Sequence, residues 1–229
     1  LNKSKSEKFE FFNSLVKKEI FYGNYIHFHN QSVSELLNKI SSNYDTNIHP
    51  KEVFSGIDIG QDFVNKKSKS LLGGEFEIGD GVFNLSKKEK ENLNLNQFEN
   101  EIIKPFYTPK QINRYRVDNR NSLWVIYTTS KYKKVELMNN LPNLKFHLDK
   151  FQKIITSANK PYGLHRSRDE EIFKGGKILS IRKCSIPSFS YVEFDCYVNR
   201  TFNIIKTERF NLKFLTCLLN SKLVEFWLL

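Results

Sequence analysis

The chain predicts an α+β fold, a mixed or antiparallel sheet with flanking helices, concentrated in its C-terminal half. Three observations carry that expectation. KILSIRK (177–183), FSYVEFDCYV (189–198) and TFNIIK (201–206) alternate as strands do. Apolar residues recur at spacings of three and four after Pro142 and again after Asn211. No repeat and no low-complexity linker interrupts the pattern.

Taken in order, residues 7–42 read as helical. Phe9, Phe12, Val16 and Ile20 share one stripe, and Val33, Leu36, Leu37 and Ile40 another. Ser32 with Glu35 forms the pattern of a capping box for the second stretch. VFSGIDIGQDFV (53–64) and LLGGEFEIGDGVFNLS (71–86) are glycine-punctuated and β-like, with turns at Gly73–Gly74 and Gly79–Asp80–Gly81. A charged helix is expected over 87–103, stopped by Pro105 and Pro109. LWVIYT (123–128) is a buried strand. Pro142 opens a helix carrying Leu144, Leu148, Phe151, Ile154 and Ile155. Asn211 caps a last helix whose stripe runs through Leu212, Leu215, Leu219, Leu223 and Phe226. The expected division is a helical segment over 1–52 and a second domain over 53–229.

Charge separates the two halves. The formal net charge is +11 over 229 residues. Before residue 114, 15 Lys balance 15 acids; from there on, 21 Lys and Arg face ten acids, and all eight Arg lie between Arg114 and Arg209. A cationic half rich in planar, bidentate guanidinium groups suits a polyanion. No run of about 18 apolar residues is present, and LNKSKSEKFEFF at the N-terminus lacks the apolar core of a signal peptide. Cys184, Cys196 and Cys217 are odd in number and widely spaced, which fits reduced thiols in a cytoplasm. The chain begins at Leu1 and stops within the apolar run LVEFWLL, as a piece of a longer protein would.

The motifs of catalysis are missing from the sequence. No acidic residue is followed two positions later by Lys, and no Pro precedes Asp, so the metal-holding pattern of the commonest restriction nucleases is absent. No two Pro are adjacent, which removes the Asn/Asp-Pro-Pro-aromatic loop that holds a flipped amino base. Gly79–Asp80–Gly81 is too short for a cofactor glycine loop, since the next Gly is Gly163. His27 and His29 are spaced to share a metal on a strand, but a solvated loop suits them better. No catalytic, cofactor or metal residue is expected in this chain.

The densest binding candidate is KPYGLHRSRDEEIFKGGKILSIRK (160–183), with Tyr162, His165, Arg166, Arg168, Lys177, Arg182 and Lys183. Lys suits phosphate, Arg suits phosphate or the O6/N7 edge of guanine, and Tyr suits stacking. The competing reading pairs Arg166 and Arg168 with Asp169, Glu170 and Glu171 as a solvated face. A second cluster, YTPKQINRYRVDNR (107–120), adds Lys110, Arg114, Arg116 and Arg120, with Lys104 just before it. Arg166, Arg168 and Arg182 are the expected base readers or close clamps. Lys104, Lys110, Lys177 and Lys183 are expected on a phosphate backbone, and the two glycine-rich segments are expected to be scaffold. Arg166 and Arg168, two apart in an extended loop, are expected to point the same way into one groove.

The succession GIDIGQDF (56–63), GDGVFNLS (79–86), IIKPFYTPKQINRY (102–115), LPNLKFHLDKFQKIIT (141–156), KPYGLHRSRDEEIF (160–173), GKILSIRK (176–183) and FLTCLLNSKLVEFW (214–227) resembles the specificity domain of TaqI-like adenine methyltransferases and type IIG restriction–modification enzymes. The resemblance covers roughly 53–229. It implies a target recognition domain that binds double-stranded DNA beside a methyltransferase core of the same polypeptide. The implied parent is a site-specific adenine-N6 methyltransferase using S-adenosylmethionine, with Mg²⁺ where a nuclease is attached, in a cytoplasmic, bacterial-type defence system. From the residues alone, an RNA- or single-strand-binding module and a protein-interaction module stay open.

Overall fold

The computed structural model describes residues 31–42 and 46–228. It divides into two units, 1–47 and 48–229. In the first, α1 (Gln31–Ser42) is helical as its periodicity predicts and starts one residue ahead of the expected cap Ser32. The expected helix before it, and His27 and His29, lie outside the described residues.

The second unit is α+β and holds two mixed sheets. The larger has six strands: β1 (Val53–Ser55), β10 (Phe202–Ile205), β7 (Lys177–Ile181), β8 (Phe189–Val192), β5 (Tyr115–Val117) and β4 (Ile112–Asn113), in that order. The smaller has four: β2 (Asn84–Ser86), β6 (Leu123–Ile126), β3 (Ile103–Tyr107) and β9 (Tyr197–Val198). All pairs are antiparallel except β5 with β8 and β3 with β9.

β7 (KILSI) is buried along almost all its length because both of its faces are covered. Leu179 and its partner Ile204 join the main core, which also holds Ile57, Phe83, Phe106, Val125, Leu144 and Phe173. Ile178 and its partner Ile205 face the other way, into a smaller cluster with Phe189 and Leu215 of α6 (Leu212–Leu219).

Several expected elements are divided, each by an identifiable interaction. The strand expected over 189–198 becomes β8 and β9, which belong to different sheets. Between them the Phe194 carbonyl accepts from Lys177 Nζ (2.8 Å) and the Cys196 amide donates to the Phe173 carbonyl (2.9 Å). The charged helix expected over 87–103 becomes α3 (Lys87–Asn92) and α4 (Gln97–Ile102), parted at Asn94, whose φ is +49°, and restarted by the Asn96–Glu99 capping box. The chain then runs on as β3, where Pro105 sits at a position β9 does not reach. α2 (Lys66–Leu72) replaces the start of an expected β-like stretch, capped by Asn65 and Ser68. The last helix is interrupted at Asn220, giving α6 and α7 (Lys222–Leu228). The Asn220 amide is buried and bonds both the N–H and the carbonyl of Phe189.

The helix opened by Pro142 ends early, as α5 (Pro142–Asp149), and its first turn is held by a fully buried carboxylate. Glu99 accepts from the amides of Asn143 (2.6 Å) and Leu144 (3.0 Å), from the Asn143 side chain (2.8 Å) and from the Asn96 amide (2.9 Å). Burial alone would raise its pKa, but these donors hold it below the ordinary 4.5. A lowered pKa adds stability that is present above the unfolded value and lost as pH falls through the folded one. Glu99→Gln therefore costs about 2–4 kcal/mol at pH 7 by leaving buried amides poorly paired. The gap narrows below the ordinary pKa of 4.5. Denaturant melts of both proteins across pH 3–7 measure this; a gap constant with pH would contradict it.

Candidate nucleic-acid interface

Residues 56–64 tie the two sheets together. Ile57 donates to the Val198 carbonyl (2.8 Å), and the Ile57 carbonyl accepts from Arg200 (2.8 Å). Asp58 exchanges both backbone bonds with Arg166 (3.0 and 2.9 Å). The segment turns at Gly60, whose φ is +89°. The Asp62 carbonyl then accepts from Val82 (3.1 Å) and Asn84 (3.2 Å), and Phe63 bridges to Gly81. Backbone pairing at both ends fixes this segment along one wall of an open cleft of about 620 Å³, closed opposite by Thr156, His165 and Asn199–Thr201.

The cleft's polar groups are mixed in sign. Arg200 meets Asp58 at 3.2 Å while its side chain stays 67% exposed. His165 accepts from the Ala158 amide through Nδ1 (3.1 Å), which makes Nε2 the protonated nitrogen of the neutral ring. Asp62 accepts no side-chain hydrogen bond among the described residues. Burial raises its pKa, and the neighbouring Asp58 raises it further.

Of the residues singled out from sequence, Arg166 and Arg182 stand exposed beside this cleft. Arg166 forms part of the Asp58 bridge, and the Arg182 amide donates to Thr201 (2.8 Å). Lys183 is exposed just beyond β7. Neither Arg166 nor Arg168 pairs with Asp169, Glu170 or Glu171; Lys104 takes Glu170 (2.9 Å) and Lys174 takes Glu171 (2.8 Å). Lys110 and Arg116 are exposed near the β4–β5 end of the larger sheet, apart from the cleft. Arg114 is turned inward, bonding the Asn220 carbonyl and lying 3.7 Å from Glu225.

Three expectations are corrected. Lys177 is not a phosphate clamp: it is fully buried, its Nζ donates to the carbonyls of Gly175 (2.9 Å) and Phe194 (2.8 Å), and burial pushes its pKa down to about 8. Tyr162 offers no stacking face, since it is buried and its hydroxyl donates to Asp149 (2.6 Å). Arg166 and Arg168 do not point together. Arg168 adopts φ +69°, which breaks the extended alternation, and its Nε donates to the Gly56 carbonyl (3.1 Å). The Tyr127 hydroxyl pins this turn through the carbonyls of Ser167 and Arg168, 3.1 Å each.

Sequence reasoning passed over Asp58, Asp62 and Arg200. The first two sit in the segment expected to be scaffold. Arg200 carried one usable signal, a basic residue in a short turn between two expected strands.

Gly56 permits the whole arrangement. A Cβ there would press into the carbonyl oxygens of Val198 and Asn199, inside the van der Waals limit of backbone that cannot swing away. Gly56→Ala is expected to cost about 3 kcal/mol or more and to separate residues 56–58 from 198–200. Chemical denaturation reads the cost, and unchanged stability would contradict the close approach.

No curated protein matches the chain. Among solved structures, the type IIL restriction–modification enzyme MmeI in complex with DNA is similar over 72% of this chain and 20% of that one, at 10% identity and a TM-score of 0.41. The chain thus spans about a fifth of that protein's length. No helix among the described residues is long and apolar enough to cross a membrane. Residues 104–229, more than half of the chain, match the family of TaqI-like C-terminal specificity domains, and the chain belongs to that family.

Proposed function

We propose that this chain recognises a specific sequence in double-stranded DNA. The reading rests above all on one observation, a cleft lined by Arg200, His165 and the unpaired carboxylate of Asp62, with the exposed Arg166 and Arg182 on segments bonded to that lining. Phosphate contacts alone require only positive charge; sequence choice requires groups that complement base edges. Arg166 and Arg200 are assigned to base edges or the phosphates beside them, and Arg182 and Lys183 to the backbone. Lys110 and Arg116, at the far end of the sheet, are assigned to outlying phosphates.

The same reading makes residues 53–229 a target recognition domain and residues 1–52 a segment that packs on a methyltransferase core of the same polypeptide. That parent is a type IIG-like, adenine-N6-specific enzyme acting in the cytoplasm, where Cys184, Cys196 and Cys217, all free of disulfides, would stay reduced. S-adenosylmethionine, and Mg²⁺ where DNA is also cut, are assigned to its other domains. Extruding a base costs a few kcal/mol. Recognition contacts worth about 1–3 kcal/mol per bidentate pair let only the correct site offset that cost.

Selection of randomised duplexes by the purified chain tests the reading. A consensus is expected, with affinity falling steeply as salt rises, by a slope of about −0.9 per neutralised phosphate. Arg166→Lys keeps the charge and loses the fork, so it should relax one consensus position by about tenfold. Lys183→Ala should weaken all sequences alike. Absence of any consensus, or preference for single strands, would overturn the proposal.

A further inference from the structure

Asp62 is one of two carboxylates lining the cleft, and its situation differs from that of the other. Asp58 is matched by Arg200 at 3.2 Å. Asp62 accepts no hydrogen bond and forms no ion pair through its side chain among the described residues; it is partly buried and lies near the like charge of Asp58, which the more distant attraction of Arg200 opposes. Its backbone cannot relax away, because its carbonyl holds the amides of Val82 and Asn84. Asn84 is itself buried, and both polar atoms of its amide lack partners. The Asp62 oxygens stay open to solvent in the free cleft, and covering them with a ligand that brings no donor is costly. A binding site can use that cost to refuse every ligand except one that brings a donor.

Resting on the DNA-recognition reading above, we propose that Asp62 is a specificity-determining residue that selects cytosine by accepting from its exocyclic N4 amino group. A carboxylate only accepts, so guanine O6 and thymine O4 meet it lone pair against lone pair. Adenine offers its N6 amino group but sets the N7 acceptor beside it, facing the second carboxylate oxygen. Cytosine sets a carbon-bound hydrogen there instead, so of the two bases with an amino donor it alone has no acceptor on its own edge beside it. Arg166 and Arg200 at the rim offset the repulsion between Asp62 and the phosphates.

The test is selection of randomised duplexes by the wild-type chain, Asp62→Asn and Asp62→Ala, each first melted to establish that it folds. The expected result is a wild-type consensus containing a fixed cytosine. Both variants should lose discrimination at that position, by roughly ten- to a hundredfold, and keep every other position. A second measurement needs only the wild-type chain: the selected duplex with 2-pyrimidinone, which lacks the 4-amino group, in place of that cytosine should bind ten- to a hundredfold more weakly. Full affinity for that duplex, or folded variants with unchanged discrimination, overturns the role of Asp62 while DNA recognition stands. A wild-type chain that selects no consensus overturns the DNA-recognition reading and the role of Asp62 with it.

Discussion

The architecture of the second unit depends on backbone approaching backbone at Gly56. Only a residue without a side chain lets the strand end enter between Val198–Arg200 on one side and Arg166 on the other. Every later feature of the cleft inherits its position from that contact. The Asp58–Arg166 bridge sets where the guanidinium of Arg166 emerges, and the Ile57–Arg200 bond sets where Arg200 does. Three stretches more than thirty residues apart in the chain are thereby held at hydrogen-bond precision. Groups that read base edges need such placement, because a bidentate contact misplaced by an ångström loses its second bond.

The charge asymmetry is a poorer guide to function than its size suggests, because folding consumes much of it. Arg114 is bound to the helix break at Asn220, Arg120 to Asp118, Arg168 to the Gly56 carbonyl and Arg209 to Glu52. Three of these hold elements together, while Arg120, 87% exposed, pairs only with the carboxylate two residues before it. Arg116, Arg166, Arg182 and Arg200 keep exposed side chains; Arg200 lines the cleft, and Arg166 and Arg182 lie on segments bonded to its lining. The concentration of Arg in the C-terminal half thus serves two ends: clamping short, irregular connections and presenting a focused basic rim.

Local pattern revealed what local physics determines. β7, β10 and the start of α6 follow from alternation and from a capping Asn, and the α+β class follows from them. The burial of Lys177 was hidden because a lysine opening a strand reads as a surface charge. Only the two carbonyls it satisfies, one of them 17 residues away, make its burial tolerable. The inward turn of Arg168 was hidden for a similar reason, since no residue type announces a positive φ except glycine and, less often, asparagine. Residues 56–63 looked like scaffold because Gly and Asp mark turns in any protein. Their part in the cleft depends on pairing across more than a hundred residues, which no local window contains.

The account stands or falls on which surface meets DNA. Hydrogen–deuterium exchange of the full chain, alone and bound to a duplex it selects, measures this directly. The account predicts protection on binding in residues 57–65, 165–168 and 199–201. Protection confined to residues 110–120 or to α6 and α7, with the cleft unchanged, would contradict it.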